Sequence, residues 1–221
     1  MEQSGATRLL IVRHGATANN AEGRFTGQSD APLSPLGVRQ VEALAARLAD
    51  TPVHTMVSSD LPRAQETALL LAAGRACELT LDPDLREVSL GGWEGLTPDQ
   101  ARQRDPEIFR AWRDDALTHA PPYGETIEQL ATRVRRALAR WTAQADAGGA
   151  TLWVTHGGVI GVVLCDALGL PLMQRARFRR DNASITEIVS ERGDFVITRV
   201  NDTAHLERLG PIAVAEARQV L

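Results

Sequence analysis

Lysine is absent from this 221-residue chain: all 24 basic residues are arginine. Genomic composition bias is a sufficient origin, but the chemical consequence holds whatever the cause. A P-loop phosphate lysine, a Schiff-base lysine and a kinase-type strand lysine are excluded. Any bound anion must be held by guanidinium, imidazole, hydroxyl or backbone N–H groups. Cysteine is scarce too. Cys77 and Cys165 lie far apart, with no CxxC pair and no histidine at metal-ligand spacing. That pattern excludes a structural zinc site and fits a reducing compartment.

An excess of positive charge is also missing. A net charge of -4 and a pI near 5.8 argue against nucleic-acid and membrane-surface partners, whose binders are usually basic. The densest basic run, Arg175-Ala-Arg-Phe-Arg-Arg180, reads as a solvated face or a loop beside an acidic partner. Long apolar runs are missing as well. The longest, Val159 to Cys165, falls far short of the roughly 18 residues that span a bilayer. Glu2 is acidic where a secretory signal would be basic, and Leu9-Leu10-Ile11-Val12 is too short for its apolar core. The expectation is a soluble, cytoplasmic protein with a small-molecule partner.

What remains is ample for a core: 43% hydrophobic and 24% charged residues, close to globular averages. Leu9-Leu10-Ile11-Val12 suits a strand buried on both faces. A polar loop follows, from Gly15 to Ser34. Ser34 and Pro35 then open a helix in which Val38, Val41, Leu44 and Leu48 recur at helical spacing. His54 to Ser58 reads as a second strand, the next helix stops at Gly74, and Glu78 to Leu81 reads as a third strand. From Asp82 to about Glu125 the pattern loosens into a cap-like insertion, with helix starts at Thr97-Pro98 and Asp105-Pro106. Thr126-Ile-Glu-Gln129 is a capping box. It opens a long amphipathic helix carrying Ile127, Leu130, Val134, Leu138 and Trp141, with a stop at Gly148-Gly149.

Thr151 to Thr155 is a further buried strand, followed by an apolar helix to Leu168-Gly169. Arg192-Gly193-Asp194 then turns a terminal hairpin. The expected fold is a single α/β domain over residues 1–221. It is a three-layer sandwich with a largely parallel central sheet, an antiparallel edge and helices on both faces.

In open α/β sheets, ligands bind beyond the carboxyl ends of the strands. Those ends carry Arg13-His14-Gly15, Ser58-Ser59-Asp60 with Arg63 beyond, Arg86-Glu87, and His156-Gly157-Gly158. Arginine, histidine and helix-terminal N–H groups make an anion pocket. A neutral imidazole in such a pocket is a competent nucleophile toward phosphorus. Each residue also has a plainer role open to it. Arg63 can pair with Glu66 or Asp60, Glu87 can pair with Arg86, and the histidines can be ordinary hydrogen-bonded core residues. Trp93, Phe109, Trp112 and Tyr123 either line a substrate pocket or simply pack the cap.

At this point the sequence resembles a known family. Leu10-Ile-Val-Arg-His-Gly-Ala-Thr-Ala-Asn-Asn20 is similar to the Arg-His-Gly signature of the histidine phosphatase superfamily, phosphoglycerate mutase-like branch (branch 1). Four further segments resemble that family in order: Phe25 to Gly37, Ser58 to Thr67, Leu85 to Gly95, and Val154 to Gly158. The resemblance implies a phosphohistidine on His14 and no metal or other cofactor. It implies phosphoryl binding by Arg13, Arg63 and His156, with Asn20, Thr26, Gly27 and Gly157 close to the substrate. It makes Glu87 the general acid and base, with Glu94 as its rival.

Hydrolases and mutases of the family use the same pocket. The mutases carry a longer, lysine-containing insertion that holds a second anionic group, and tend to have Asn after the glycine that follows the second histidine. Here the segment 96–123 is short and lysine-free, although Arg102, Arg104, Arg110 and Arg113 offer alternative charge, and Gly158 occupies the Asn position. Trp112-Arg-Asp-Asp and Ala120-Pro-Pro resemble the mutase insertion in outline. The expectation is a phosphate-monoester phosphatase first and a cofactor-dependent phosphoglycerate mutase (an isomerase) second. A non-catalytic phosphate-binding module comes last, because it would lack the nucleophile or the acid. The substrate stays open among small monoesters, sugar phosphates, phosphoglycerates, nucleotide-loop precursors of cobalamin synthesis and phosphorylated proteins.

Overall fold

Side chains alternate sides along a strand, and here that alternation divides the interior in two. The computed structural model describes residues 7–144, 150–191 and 194–209. Strands β1 (Thr7–Arg13), β2 (Val53–Ser58), β3 (Glu78–Leu81) and β4 (Ala150–Thr155) pair in parallel. Strands β5 (Ile185–Glu191) and β6 (Asp194–Asp202) add an antiparallel edge beside β1. The sheet order is β3-β2-β4-β1-β5-β6. The helices are α1 (Ala18–Ala21), α2 (Pro35–Arg47), α3 (Pro62–Ala72), α4 (Pro98–Arg104), α5 (Pro106–Asp114), α6 (Ile127–Gln144) and α7 (Gly157–Ala167).

Leu10, Val12, Met56, Leu152 and Val154 join one apolar cluster with α2 and α3. Their neighbours Leu9, Ile11, Val57 and Trp153 join the other, with α6, α7 and buried residues from Leu85 to Ala116. The segment 82–125 thus shares its apolar contacts with the helices on that face. α7 contains the run Val159 to Cys165 and is buried along it, which accounts for its all-apolar character. No helix among the described residues is long and apolar enough to cross a membrane.

The helix starts follow local chemistry. Ser34 Oγ accepts from Gly37 N (3.1 Å), and Thr97–Gln100 and Thr126–Gln129 each close a reciprocal capping box. The polar loop after β1 differs from expectation by containing α1. Thr17 and Asn20 cap each other there in the same reciprocal way, so a single turn forms without any apolar periodicity. The proposed turn residues Gly148, Gly149, Arg192 and Gly193, and the side chain of Trp141, lie outside the described residues.

One expectation needs correction. Arg177 and Arg179 are exposed, but Arg175 and Arg180 of the same run are buried, at 4% and 8% exposure. They press on α7 where Gly161 leaves room: a Cβ there would stand 2.6 Å from Arg180 Nη1 and 3.1 Å from Arg175 Cβ. Trp93, Phe109 and Trp112 pack on one another and on Phe25, with ring centroids 5.3 to 6.2 Å apart, and all four are buried. Of the two roles open to Trp93, Phe109 and Trp112, the structure shows packing, within the apolar cluster shared with α6 and α7, and the Trp93 indole N–H is satisfied by Asp105 (2.7 Å). Tyr123 takes no part and is 99% exposed.

Candidate active site

Strand register assembles the site. Arg13 pairs with Thr155 across β1 and β4, so the next residues, His14 and His156, emerge side by side. Their rings lie 5.0 Å apart between centroids. Ser58 pairs with Val154, which brings Ser59 alongside, and its Oγ lies 2.8 Å from His156 Nε2. Beyond β3, the short 3-10 helix Pro83–Leu85 is tied to β4 by the Thr155 hydroxyl, which donates to the Leu85 carbonyl (2.8 Å). That tie delivers Glu87 to the same edge.

His14 is held in one tautomer. Its Nδ1 lies 2.7 Å from the Gly15 carbonyl oxygen, which only accepts, so Nδ1 carries the proton. Nε2 therefore holds the lone pair and accepts from Arg63 Nε (3.2 Å). Burial first, then the charges of Arg63 and Arg13, hold the His14 pKa well below its ordinary 6.5. The imidazole is consequently neutral at physiological pH. His156 is depressed in the same direction by burial and then by Arg63, His14, Arg13 and Arg133.

Among the described residues Arg63 forms no salt bridge: Glu66 accepts from Leu33 N (2.9 Å), and Asp60 is taken bidentately by Arg86 (2.6 and 2.5 Å). Arg63 donates instead to the Ser29 and Gly27 carbonyls (3.1 and 2.6 Å). Arg13 donates to the Arg180 carbonyl. Burial lowers both arginines to about 10, partly offset by the charge of Glu87, so both remain cations at neutral pH. Arg13 Nε and His156 Nδ1 are buried with no hydrogen-bond partner among the described residues. Arg13 Nε can therefore donate to a group bound at this edge, and His156 Nδ1 can donate to it or accept from it.

Glu87 lies at the N-terminus of α7, not against Arg86. Its carboxylate accepts from Gly158 N at 3.1 Å to each oxygen, and Oε1 also accepts from Val88 N (2.9 Å). An N-terminal helix turn favours negative charge. Gly158 is required for the approach, because a Cβ there would stand 2.2 Å from Glu87 Oε1. Glu94 differs: its Oε1 accepts from the backbone N–H of Gln28 and Leu90 (2.8 and 3.1 Å) and lies under Gly27, where a Cβ would meet it at 2.2 Å. Gly27 itself has φ +51°, a second reason for glycine there.

The remaining expected residues are also at this edge. The Asn20 oxygen caps Thr17 and accepts from Asn182 Nδ2 (3.3 Å). The Thr26 carbonyl accepts from the Ser29 hydroxyl (2.6 Å). The Gly157 carbonyl accepts from Arg180 Nη1 (2.8 Å). From the sequence, Ser59 stands at a strand end without a role, Arg180 reads as part of a solvated run, and Asn182 is not singled out. Ser59 was legible as the residue after a strand end, whereas the other two arrive from the distant segment before β5. Asn182 Nδ2 donates to the His14 carbonyl (3.0 Å).

Buried guanidinium groups, two neutral imidazoles and the Glu87 carboxylate are thus gathered at one edge of the sheet, an arrangement chemically able to accept and pass on a phosphoryl group. The chain is 34% identical over 211 residues to a Yersinia pestis (strain Pestoides F) protein named "Probable phosphoglycerate mutase GpmB", covering 90% of this chain and 95% of that one. Its structure is similar to the alpha-ribazole phosphatase of Shigella flexneri, with TM-score 0.83, 29% identity and coverage of 89% and 96%. It is also similar to a mycobacterial glucosyl-3-phosphoglycerate phosphatase in complex with VO3, with TM-score 0.77, 34% identity and coverage of 88% and 98%. The family model of the histidine phosphatase superfamily (branch 1) matches residues 9–203, and the chain belongs to that family.

Proposed function

We propose that this protein is a phosphatase that hydrolyses a phosphate monoester through a phosphohistidine on His14. The observation that carries the reading is the His14 tautomer: Nδ1–H bound to the Gly15 carbonyl and the Nε2 lone pair beside buried Arg63. Nε2 attacks phosphorus and the ester P–O bond breaks. Glu87, a carboxylate in the resting site, takes up the proton that a monoanionic ester brings and gives it to the leaving oxygen. The resulting carboxylate takes a proton from water, the water oxygen attacks phosphorus, and the P–N bond breaks to release phosphate. Arg13, Arg63 and His156 stabilise the charge spread over the phosphoryl oxygens, and Arg13 Nε is a free donor for one of them. Among the described residues, Glu87 Oε2 accepts only from Gly158 N, a donor it shares with Oε1. That oxygen retains capacity for proton transfer, and Glu87 stands at the start of α7 beside His156, whereas Glu94 lies under the Gly27 loop.

The mutase reading is favoured by the relative's name. Against it, Arg102, Arg104 and Arg113 of the cap are exposed and paired with Asp99, Asp105 and Asp114. Those three charges are thus engaged by aspartates, and Arg110 is exposed. A panel of phosphate esters, assayed for phosphate release and for 2-/3-phosphoglycerate interconversion, separates the two. Release should exceed interconversion, and His14→Ala should abolish release without unfolding the protein. Interconversion exceeding release would overturn the phosphatase reading, and normal release by His14→Ala would overturn the mechanism.

A further inference from the structure

The backbone that carries Glu87 is gripped from behind by a residue outside the pocket. Arg133 lies on α6, and its side chain is 12% exposed. Its Nη1 donates to the carbonyls of Asp84 and Arg86 (2.9 and 2.6 Å), and its Nη2 donates to the carbonyl of Glu87 itself (2.8 Å). Nε and Nη2 also bind Glu125 bidentately (both 3.0 Å), which fixes the guanidinium plane. Glu125 Oε2 in turn accepts from Ser89 N (2.9 Å), so the carbonyls before residue 88 and the N–H after it are held by one ion pair.

Gln28 extends the grip to the phosphate side. Its Nε2 donates to the Glu87 carbonyl (3.0 Å) and approaches Glu125 Oε2 (3.4 Å). Its neighbours Gly27 and Ser29 offer the carbonyls that Arg63 binds.

We propose that Arg133, with Glu125 and Gln28, is a positioning residue that sets the location of the Glu87 carboxyl relative to the phosphoryl pocket. It touches neither substrate nor reacting atom and acts through the backbone of residues 84–89. A fold-stabilising role alone would need no such concentration of donors on the residue that bears the acid. The inference rests on the reading of Glu87 as general acid, and the two are separable by experiment.

A general acid matters most when the leaving group is poor, because an alkoxide needs the proton and a nitrophenolate does not. The test compares glycerol phosphate with 4-nitrophenyl phosphate in three variants: Arg133→Met, Arg133→Lys and Glu87→Gln. Lysine keeps the charge but cannot reproduce the fork that spans three carbonyls. It therefore serves as the milder variant should methionine, which leaves those carbonyls without this donor, fail to fold. Inorganic phosphate inhibition reports the intact phosphoryl pocket in each protein.

Both Arg133 variants should lower kcat for glycerol phosphate about tenfold more than for 4-nitrophenyl phosphate, as Glu87→Gln does more severely, with phosphate inhibition little changed. Equal losses on both substrates in the Arg133 variants, with Glu87→Gln still discriminating, would overturn the positioning role and leave the acid assignment standing. No discrimination in Glu87→Gln would overturn both.

Discussion

Replacing Gly158 by alanine tests whether the position of Glu87 governs catalysis. The added Cβ would stand 2.2 Å from Glu87 Oε1 and 3.2 Å from Leu130 Cδ2. Reaching ordinary contact requires the carboxylate to retreat by about 1 Å, and a misplacement of that size costs roughly 100-fold in rate. The stability effect is smaller. The charge-assisted bond to Gly158 N, worth about 1.5–3 kcal/mol, is weakened or lost. Alanine in place of glycine near the start of α7 returns up to about 1 kcal/mol. The net loss of about 0.5–2 kcal/mol corresponds to a fall in Tm of a few degrees for a chain of this size. Steady-state kinetics on glycerol phosphate, beside a thermal melt, reads both quantities. Wild-type turnover in a folded Gly158→Ala protein would refute the reasoning. So would a collapse in Tm, since the clash is then not relieved by the end of a flexible side chain.

Arg63→Met removes the nearest charge acting on His14, so the His14 pKa should rise toward 6.5 in an NMR titration while kcat/KM falls by about 100-fold or more; an unmoved imidazole would count against the coupling. The buried histidines also set a pH dependence of stability. His14 and His156 are depressed in the folded state, so the unfolded chain binds more protons below about 6.5. Their contribution is full above that pH and is lost as pH falls through it, by up to about 1.4 kcal/mol per unit per histidine. Urea unfolding at pH 7 and pH 5.5 should show the fall, and His14→Asn should reduce its slope. Trp112→Ala deletes a buried ring packed on Phe25 and Trp93 and should cost about 3–5 kcal/mol. Because Phe25 adjoins the Thr26-Gly27 loop, KM should rise as well, and an unchanged Tm would refute the cap-core assignment.

Much of this arrangement is legible where physics is local. Ser34, Thr97 and Thr126 announce helix starts because each cap is completed within three residues. The apolar runs at Leu9–Val12 and Leu152–Val154 announce strands buried on both faces. The histidines stand next to each other because register pairs the residues just before them. Charge pairing is different. Asp60 joins Arg86, leaving Arg63 to backbone carbonyls, and Arg180 is buried among strangers in sequence. These choices depend on which distant segments arrive together, and neither spacing nor composition carries that information. Glu87 and Glu94 are likewise equivalent as sequence and distinct in space, one at a helix N-terminus and the other under a glycine loop.

The most direct test is chemical trapping of the intermediate. Rapid acid-free quenching of the enzyme with a 32P-labelled monoester, followed by peptide mass spectrometry, should find an acid-labile, alkali-stable phosphoryl group on Nε2 of His14. The label should form and decay at rates consistent with turnover. Turnover without any label on His14, or with the label on another residue, would contradict the account.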